Sequence, residues 1–423
     1  MIGKNNREVS NISEKKNLVS NIFYLGVLQG ANYILPLLTV PYLVRILGPE
    51  YFGLLSFATA TITYFMLITD YGFNLSATRQ ISINRYNKDK VNEIFSSVMM
   101  IKFVLMVLSF GLMSLLVLSV DKFSSHWEIY FITFGMVIGQ LMSPVWLFQG
   151  MERMRYVTYL HIGAKTFFTL FVFIFVQEQD DYLLVPSLNA IGFLVAGIFS
   201  LYLVTKEFNV SFIWQTTSTI RFHLIDGWHV FFSSIAISLY TISATFILGI
   251  FTNNTVVGYF SAADKIVQAV KGLYQPVSQA IYPLIGKKIQ EDEQAGMEFV
   301  YKTIRVIGVG MFVVSALLLF LSEPIIDILL GERYQKSVPL LQIMAFLPFI
   351  VALSNIYGVQ TMLNLGYKLA FSRILVTAAI LGIGLNLILV PLYEGLGTAV
   401  TLLTVEVFVT SVMYIYLKFW KGI

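Results

Sequence analysis

Apolar runs of about twenty residues recur along the whole chain, and they constrain its fold more than any other feature. A helix needs roughly 20 mostly apolar residues to cross a bilayer. A run such as FVLMVLSFGLMSLLVLSV (103–120) lacks the alternation of a membrane β-strand. We predict twelve spanning helices, at 18–44, 51–76, 94–119, 128–148, 157–176, 183–204, 228–251, 256–284, 303–321, 338–363, 370–391 and 396–417.

The charge content agrees with this prediction. Only 12% of the 423 residues are charged, and 57% are hydrophobic, whereas about a quarter of the residues of a soluble domain are charged. The chain has no cysteine, which excludes disulfides and cysteine chemistry. The polar N-terminus lacks the pattern of a cleavable signal peptide. We therefore predict an all-α polytopic membrane protein.

The basic residues predict its orientation, because Lys and Arg accumulate in cytoplasmic segments. With the N-terminus inside, the outer segments hold four basic residues and the helices another four. The inner segments hold twenty of the 28: Lys4, Arg7, Lys15, Lys16, Arg79, Arg85, Lys88, Lys90, Arg153, Arg155, Lys206, Arg221, Lys287, Lys288, Lys302, Arg305, Lys368, Arg373, Lys418 and Lys421. Both termini are expected in the cytoplasm, with the protein in the cell membrane.

An internal repeat predicts two halves. WLFQGMERMRY (146–156) and YGVQTMLNLGY (357–367) share Gln, Met and Tyr at positions 211 apart, while Gly53 and Ser56 match Gly258 and Ser261 at an offset of 205. Six helices per half give a parallel repeat about an axis along the membrane normal; chance similarity between apolar helices is the alternative. The predicted domains are a bundle at 1–204, a cytoplasmic linker at 205–222 and a second bundle at 223–423.

Motifs for catalysis are missing from the sequence. PLIGKKI (283–289) does not fit the phosphate-binding loop, and no H-E-x-x-H zinc motif occurs. The four histidines are too scattered along the chain for a metal cluster. We expect no enzyme, no cofactor, no metal and no nucleic-acid partner.

Polar residues inside the predicted helices mark a cavity, because charges at the bilayer centre cost about 2.5–3.5 kcal/mol on insertion scales. Asp264, Gln268 and Lys271 share one face of helix eight with Gln275. Two other helices carry polar stripes, at Ser234, Ser238, Thr241 and Thr245 in helix seven and at Gln29, Asn32 and Pro36 in helix one. Close helix packing through small polar residues is the alternative for helix seven.

Further charges lie deep within helices. Lys165, with His161 one turn earlier, is about 13 Å along helix five and suits an anionic head group; a structural pair with Glu406 is the alternative. Asp70, Asp264 and Glu406 are candidates for ion coupling; for Asp264, which lies near Lys265 and Lys271, a static ion pair is the alternative. Lys102 aligns with Arg305 and is expected to snorkel to the membrane surface.

Three stretches carry a family resemblance: LTVPYLVRILGPEYFGLLSFA (38–58), DYGFNLSATRQIS (70–82) and PVWLFQGMERM (144–154). They resemble the signatures of the polysaccharide flippases, within the multidrug/oligosaccharidyl-lipid/polysaccharide exporter superfamily. The resemblance implies two six-helix bundles forming a V, a central cavity lined by helices one, two, seven and eight, and alternating access.

The implied cargo is an undecaprenyl-pyrophosphate-linked oligosaccharide, carried to the outer leaflet for O-antigen, capsule or a similar surface polysaccharide. Membrane lipid is the other partner, and the polymerase and chain-length proteins of the pathway are further candidates. The candidate cavity residues are Lys165, His161, Lys265, Lys271, Gln268, Asn32, Gln29, Arg45 and Ser238.

Two alternatives remain open at this point. A cation-coupled multidrug exporter of the same superfamily would need an acidic cavity, whereas basic residues outnumber acids in the predicted cavity helices. A polysaccharide polymerase typically has a large external loop, and the outer segments here are short.

Overall fold

The computed structural model describes the backbone of residues 2–420, and the side chains of these residues except 2–25, 33–34, 229, 233–234, 236–241 and 420. Every regular element in this part of the chain is helical, which confirms the predicted fold class. The α-helices are α1 (Ile2–Asp70), α2 (Phe73–Asn84), α3 (Lys88–Ser119), α4 (Asp121–Ser124), α5 (Trp127–Met142), α6 (Val145–Gly150), α7 (Met154–Phe175), α8 (Leu184–Phe208), α9 (Thr217–Phe251), α10 (Asn254–Glu291), α11 (Glu293–Phe320), α12 (Ser322–Leu329), α13 (Val338–Met344), α14 (Leu347–Asn355) and α15 (Lys368–Ile415).

Short helical segments of other types complete the chain. The 3₁₀ turns are Gln179–Leu183 and Glu332–Ser337, and the π-helical segments are Ile356–Met362 and Tyr416–Trp420.

Eight helical stretches of the described residues are long and apolar enough to cross a membrane. They are Gly26–Asn84, Lys88–Ser119, Trp127–Gly150, Met154–Phe175, Gln179–Phe208, Glu293–Phe320, Glu332–Met362 and Lys368–Phe419. The first and last have 59 and 52 residues, enough for two crossings each at about 20 residues per crossing. The structure is compatible with twelve crossings, and that number remains a prediction.

Backbone breaks divide the two longest stretches. Gly48, with φ 70°, interrupts α1 and precedes Pro49, and Glu394, with φ 49°, interrupts α15. Gly tolerates positive φ because it lacks a Cβ, while Pro suits the first turn of a new helix. Both breaks fall between runs that the sequence predicts as separate helices.

Two compact units divide the chain. Unit 1 comprises Met1–Thr39 and Thr61–Ile235, and unit 2 comprises Val40–Ala60 and Ala236–Ile423. The chain passes between them within α1 and within α9, and the predicted linker at 205–222 belongs to unit 1. These two units differ from the domains predicted from the sequence repeat, at 1–204, 205–222 and 223–423. The division into two repeated halves remains a prediction.

Each unit has its own buried core. In unit 1 the core contains Phe73, Phe95, Trp146 and Phe148 together with aliphatic side chains. Unit 2 has one cluster around Tyr274 and Ile356 and another around Met362 and Val409. Large apolar side chains on the spans also point outward, as Phe103 and Leu115 do on α3. Since lipid is itself apolar, van der Waals packing and hydrogen bonds, rather than exclusion from water, hold such helices together.

The repeated sequences make comparable contacts in the two units. In unit 1 the Thr78 hydroxyl lies 3.5 Å from Gln149 Oε1, and in unit 2 the Gln360 amide donates to the Ser278 hydroxyl at 2.8 Å. Each repeated glutamine therefore reaches a hydroxyl side chain of an earlier helix in its own unit. This similarity is compatible with a duplicated architecture.

Candidate functional site

Unit 2 contains a cavity of about 430 Å³, lined by α9, α10, α14, α15 and the π-helical segment Ile356–Met362. Apolar side chains form part of its wall, including Phe260, Leu347 and Val409. Its polar lining residues are Thr245, Asp264, Gln268, Lys271, Ser354, Asn355 and Glu406.

Part of the polar face predicted on helix eight, which lies in α10, lines this cavity, whereas Gln275 of that face is not among the lining residues. Asp264, Gln268 and Lys271 all contribute to its wall, because spacings of four and three residues place them on one side of α10. The Gln268 amide lies 3.5 Å from Asp264 Oδ1. Among the described residues, the ion pairs do not include Asp264 or Lys271. The static Asp264–Lys271 pair is therefore not formed in this structure.

Asn355 is a cavity residue that the sequence analysis missed. Its side-chain oxygen accepts hydrogen bonds from Tyr274 Oη at 3.2 Å and from Ser278 Oγ at 2.8 Å, and Gln360 Nε2 lies 3.4 Å away. Asn355 ends α14, where the chain continues as the π-helical segment. Such segments are rare and often occur at functional sites. The sequence did contain a signal for this residue, because Asn355 is a polar residue within a predicted apolar helix that also contains Gln360.

Lys165 and Asn32 come together in unit 1. The Lys165 ammonium donates to Asn32 Oδ1 at 2.6 Å, although the two residues are 133 positions apart. Both side chains are half-buried, as is His161, one turn before Lys165 on α7. An ammonium has three N–H donors and carries a positive charge, and next to an imidazole and an amide it can bind a phosphate oxygen. The arrangement is typical of an anion-binding group.

Asp70 and Lys102 form a buried ion pair in unit 1. Their Oδ1 and Nζ atoms are 3.1 Å apart, and the side chains are 14% and 2% exposed. Asn74 also donates to Asp70, at 2.8 Å. The expectation that Lys102 snorkels to the membrane surface was wrong: a nearby carboxylate compensates its charge within the protein. Asp70 is a candidate for ion coupling from the sequence, and in this structure its carboxylate pairs with Lys102.

The remaining candidates lie elsewhere. Lys265 is exposed and is not among the residues that line the unit 2 cavity. Arg45 donates to the main-chain oxygens of Ile328 and Leu329 at the end of α12, where a cation stabilises the helix C-terminus. Gln29 is half-buried one turn before Asn32. The side chain of Ser238 lies outside the described residues.

The cavity and the Lys165 group differ in electrostatic character. Two carboxylates and one ammonium line the cavity of unit 2, a composition suited to exchanging a proton or a small cation. The group in unit 1 joins an ammonium and an imidazole to an amide, which suits an anion. The sequence analysis had grouped most of these residues as candidates for one cavity, whereas the structure places them in two sites, each assembled by contacts between residues distant in the chain.

Comparisons with known proteins identify the family. Residues 18–288 match the model of the family described as "Polysaccharide biosynthesis protein". A protein of Escherichia coli (strain K12) named "Putative O-antigen transporter" is 38% identical over 406 residues, covering 96% of this chain and 98% of that protein. One of the same name from Shigella dysenteriae is 30% identical, covering 93% and 98%.

Solved structures share the fold. The lipid II flippase MurJ in an inward closed conformation aligns with a TM-score of 0.70 at 13% identity, over 95% of this chain and 87% of that one. An inward-facing multidrug resistance MATE transporter of the MOP superfamily aligns with a TM-score of 0.71 at 12% identity, over 90% and 93%. The family model, which covers more than half of the chain, and the two relatives named as O-antigen transporters show that this multi-pass membrane protein belongs to the polysaccharide biosynthesis protein family.

Proposed function

We propose that this protein is a flippase that moves lipid-linked oligosaccharide repeat units across the membrane for surface polysaccharide synthesis. The observation that carries the proposal is similarity over almost the whole chain to proteins named as O-antigen transporters. The MurJ-like fold supports it, since a lipid II flippase uses the same architecture. The cargo carrier is proposed to be undecaprenyl pyrophosphate, moved from the inner to the outer leaflet by alternating access.

The Lys165 group supplies chemistry that suits this cargo. A pyrophosphate needs cationic and hydrogen-bonding partners when it leaves bulk water, because burying an unpaired charge is costly. Lys165, with Asn32 at 2.6 Å and His161 one turn away, offers such partners within an apolar helix. We assign the head group to this site; the polar residues of α10 are candidates for sugar contacts.

The cavity of unit 2 is proposed to couple transport to an ion gradient. Asp264 and Glu406 lie in its wall with Lys271, and carboxylates inside membrane proteins often mark ion or proton pathways. Protonation or cation binding would change the net charge of the lining, and hence the stability of one transport state relative to the other.

The membrane placement follows from the basic residues. The protein is proposed to lie in the cell membrane with both termini in the cytoplasm, because twenty of the 28 basic residues fall on one set of predicted segments. Membrane lipid surrounds it, and a polymerase and chain-length proteins that act on the exported repeat unit are proposed partners. No step of this cycle requires the chain to catalyse a covalent reaction.

The decisive experiment measures translocation of a labelled undecaprenyl-pyrophosphate oligosaccharide in vesicles containing the purified protein. We expect wild type and Lys287→Ala to translocate alike, since Lys287 is an exposed lysine whose ion pair, within the part of the chain that the structure describes, is with nearby Glu291 at 3.7 Å. Lys165→Ala should translocate much more slowly, and Lys165→Arg should retain part of the rate because it keeps the charge.

The outcomes separate the alternatives. If Lys165→Ala translocates the cargo as fast as wild type, the proposed flippase function stands, but the proposed head-group site at Lys165 is refuted. No translocation of several cargo sugars, under either a proton or a sodium gradient, together with uptake of a cationic dye by inverted vesicles, would favour the multidrug exporter instead.

Ion coupling has its own test. Translocation by wild type should respond to an imposed proton or sodium gradient, and Asp264→Asn and Glu406→Gln should each weaken that response. Asp180→Asn changes an exposed carboxylate in the turn before α8 and serves as the control. If wild type ignores both gradients, the coupling role is refuted while the flippase itself stands.

A further inference from the structure

Three consecutive large apolar side chains are exposed in the non-helical segment between α8 and α9, residues 209–216. Phe212 is 50% exposed, Ile213 49% and Trp214 80%. The polar residues Ser211 and Gln215 flank them. The exposed apolar residues are therefore a short run between polar residues, and not part of a long apolar helix that spans the membrane. Leaving apolar surface in water costs about 25 cal/mol per Å², and the segment therefore needs an apolar partner.

The main chain of this segment is held in place by α3. The N–H of Ser211 donates to Asn92 Oδ1 at 3.0 Å, and the N–H of Ile213 donates to Ser96 Oγ at 2.9 Å. Both acceptors are buried polar side chains, and Val210 is buried beside them. Non-helical backbone close to hydrocarbon needs such partners, because lipid offers none. Two backbone N–H groups of the segment are therefore bonded to buried side chains of unit 1.

The first turns of α9 extend the same apolar character. Phe222, Ile225 and Trp228 are exposed, and their spacing of three residues places them on one face of the helix. Polar contacts hold this part of α9 to unit 1, including the Asp226–Arg79 ion pair at 3.2 Å. We refer to Phe212, Ile213, Trp214, Phe222, Ile225 and Trp228 as the linker surface.

The position along α3 gives the depth of this surface. The helix begins at Lys88, and its outward apolar run starts at Phe103, followed by Val104 and Val107. At 1.5 Å per residue, Ser96 lies about 9 Å from the charged Lys90 and about 10 Å from Phe103. Residues 211–213 bond to α3 between its polar end and its lipid-facing run, at the level expected for lipid head groups.

We propose that the linker surface inserts into the interface of the lipid bilayer, on the side where α3 begins. Trp is enriched at this depth because its ring is apolar and its N–H is polar. The exposed cations Lys206 and Arg221 flank the surface and can reach lipid phosphates. Anchored this way, the start of α9 stays at a constant depth in the leaflet. The proposal depends on the membrane-spanning fold and not on the cargo.

Site-directed spin labelling tests the depth, because the chain has no native cysteine. The full-length protein would carry a single label at Trp214→Cys or Ile225→Cys, in vesicles of phosphatidylcholine and phosphatidylglycerol. Tyr86→Cys, at a residue 89% exposed just beyond α2, and Val107→Cys, on the lipid-facing run of α3, are the aqueous and hydrocarbon references. Power saturation compares collisions with oxygen, which concentrates in lipid, and with a water-soluble nickel chelate.

We expect the ratio of oxygen to nickel accessibility at 214 and 225 to lie between those of the two references. A ratio at 214 equal to that at 86 would place the surface in water and overturn the proposal. Low accessibility to both reagents would show that protein covers the surface, which would also overturn it. Phe212→Cys provides a second position in the same segment if Trp214→Cys fails to fold.

Discussion

Lys102 and His223 are titratable side chains that unit 1 buries almost completely, at 1% and 4% exposure. Burial favours the neutral form of such groups unless a partner compensates the charge. Lys102 has that partner in Asp70, whereas His223 Nε2 has no hydrogen-bond partner among the described residues. Stability should therefore depend on the carboxylate partner in the case of Lys102 and on pH in the case of His223.

Removing Asp70 should destabilise the protein strongly. Asp70→Asn leaves the Lys102 ammonium buried beside a neutral amide, and removing one partner of a buried ion pair costs about 3–5 kcal/mol. We expect a clear fall in the Tm of the purified protein in detergent, and a smaller fall for the double variant Asp70→Asn/Lys102→Met. If the fall in Tm of the double variant equalled the sum of the falls for Asp70→Asn and Lys102→Met, the two side chains would not be energetically coupled, and the prediction would be refuted.

His223 should make stability depend on pH. Burial, the largest effect, lowers the pKa of His223, and Glu93 and Asp226 oppose that shift. The unfolded chain then binds a proton more readily than the folded one. The stabilisation is present above the ordinary pKa of about 6.5 and is lost as pH falls through the lower folded value.

The measurement is the Tm in detergent between pH 8 and pH 5. Wild type should lose more stability over this range than His223→Gln, which cannot take up the proton. His126→Gln, at a partly buried position before α5, is the matched control and should follow wild type. Equal slopes for wild type and His223→Gln would refute the assignment.

Among the elements, the helix after Gly48 and α10 approach each other closely, backbone to backbone, within unit 2. A Cβ added at Gly53 would clash with the main-chain oxygen of Asn254 and lie 2.5 Å from the Gly258 nitrogen. One added at Gly258 would clash with the main-chain oxygen of Pro49. Pro49 and Asn254 are themselves 205 positions apart, as Gly53 and Gly258 are, so the contact is reciprocal between repeat-related positions.

Alanine at either glycine should push these helices apart. Overpacking a close contact typically costs about 1–3 kcal/mol, and here the obstacle is backbone, which cannot rotate away. We expect Gly53→Ala and Gly258→Ala to lower the Tm. Gly111→Ala and Gly310→Ala, where a Cβ meets nothing within 4 Å, should leave it unchanged or raise it slightly. A Tm for Gly53→Ala as high as that of Gly111→Ala would contradict the packing described.

On the scale of the whole molecule, the predicted orientation is open to a direct test. A cysteine-free chain accepts single cysteines for labelling with a membrane-impermeant maleimide. On intact cells we expect labelling at the predicted outer positions only, and at the inner ones only after permeabilisation: outer Asp121, Asp180 and Lys336; inner Lys88, Lys206 and Lys288. Labelling of Lys206→Cys on intact cells would reverse the proposed topology.

Local signals predicted most of the architecture and part of the site. The spacing of Asp264, Gln268 and Lys271 was enough to place them on one face, because a helix has a constant period. Helix seven was expected to begin at residue 228, but the corresponding helix α9 begins at Thr217. Polar contacts such as the Asp226–Arg79 ion pair hold its first turns, and a search for long apolar runs does not detect such turns. Asn355 escaped notice because its role depends on Tyr274 and Ser278, about 80 residues earlier.

The sequence by itself determined an all-helical membrane protein, the placement of most apolar helices and which faces are polar. In lipid a helix satisfies its own backbone hydrogen bonds, so these properties follow from local length and period. Tertiary structure alone decided that Lys102 pairs with Asp70, that Lys165 meets Asn32 and that Glu406 shares a cavity with Asp264. Such pairings join side chains from distant parts of the chain, and only the packing of the helices brings them within reach.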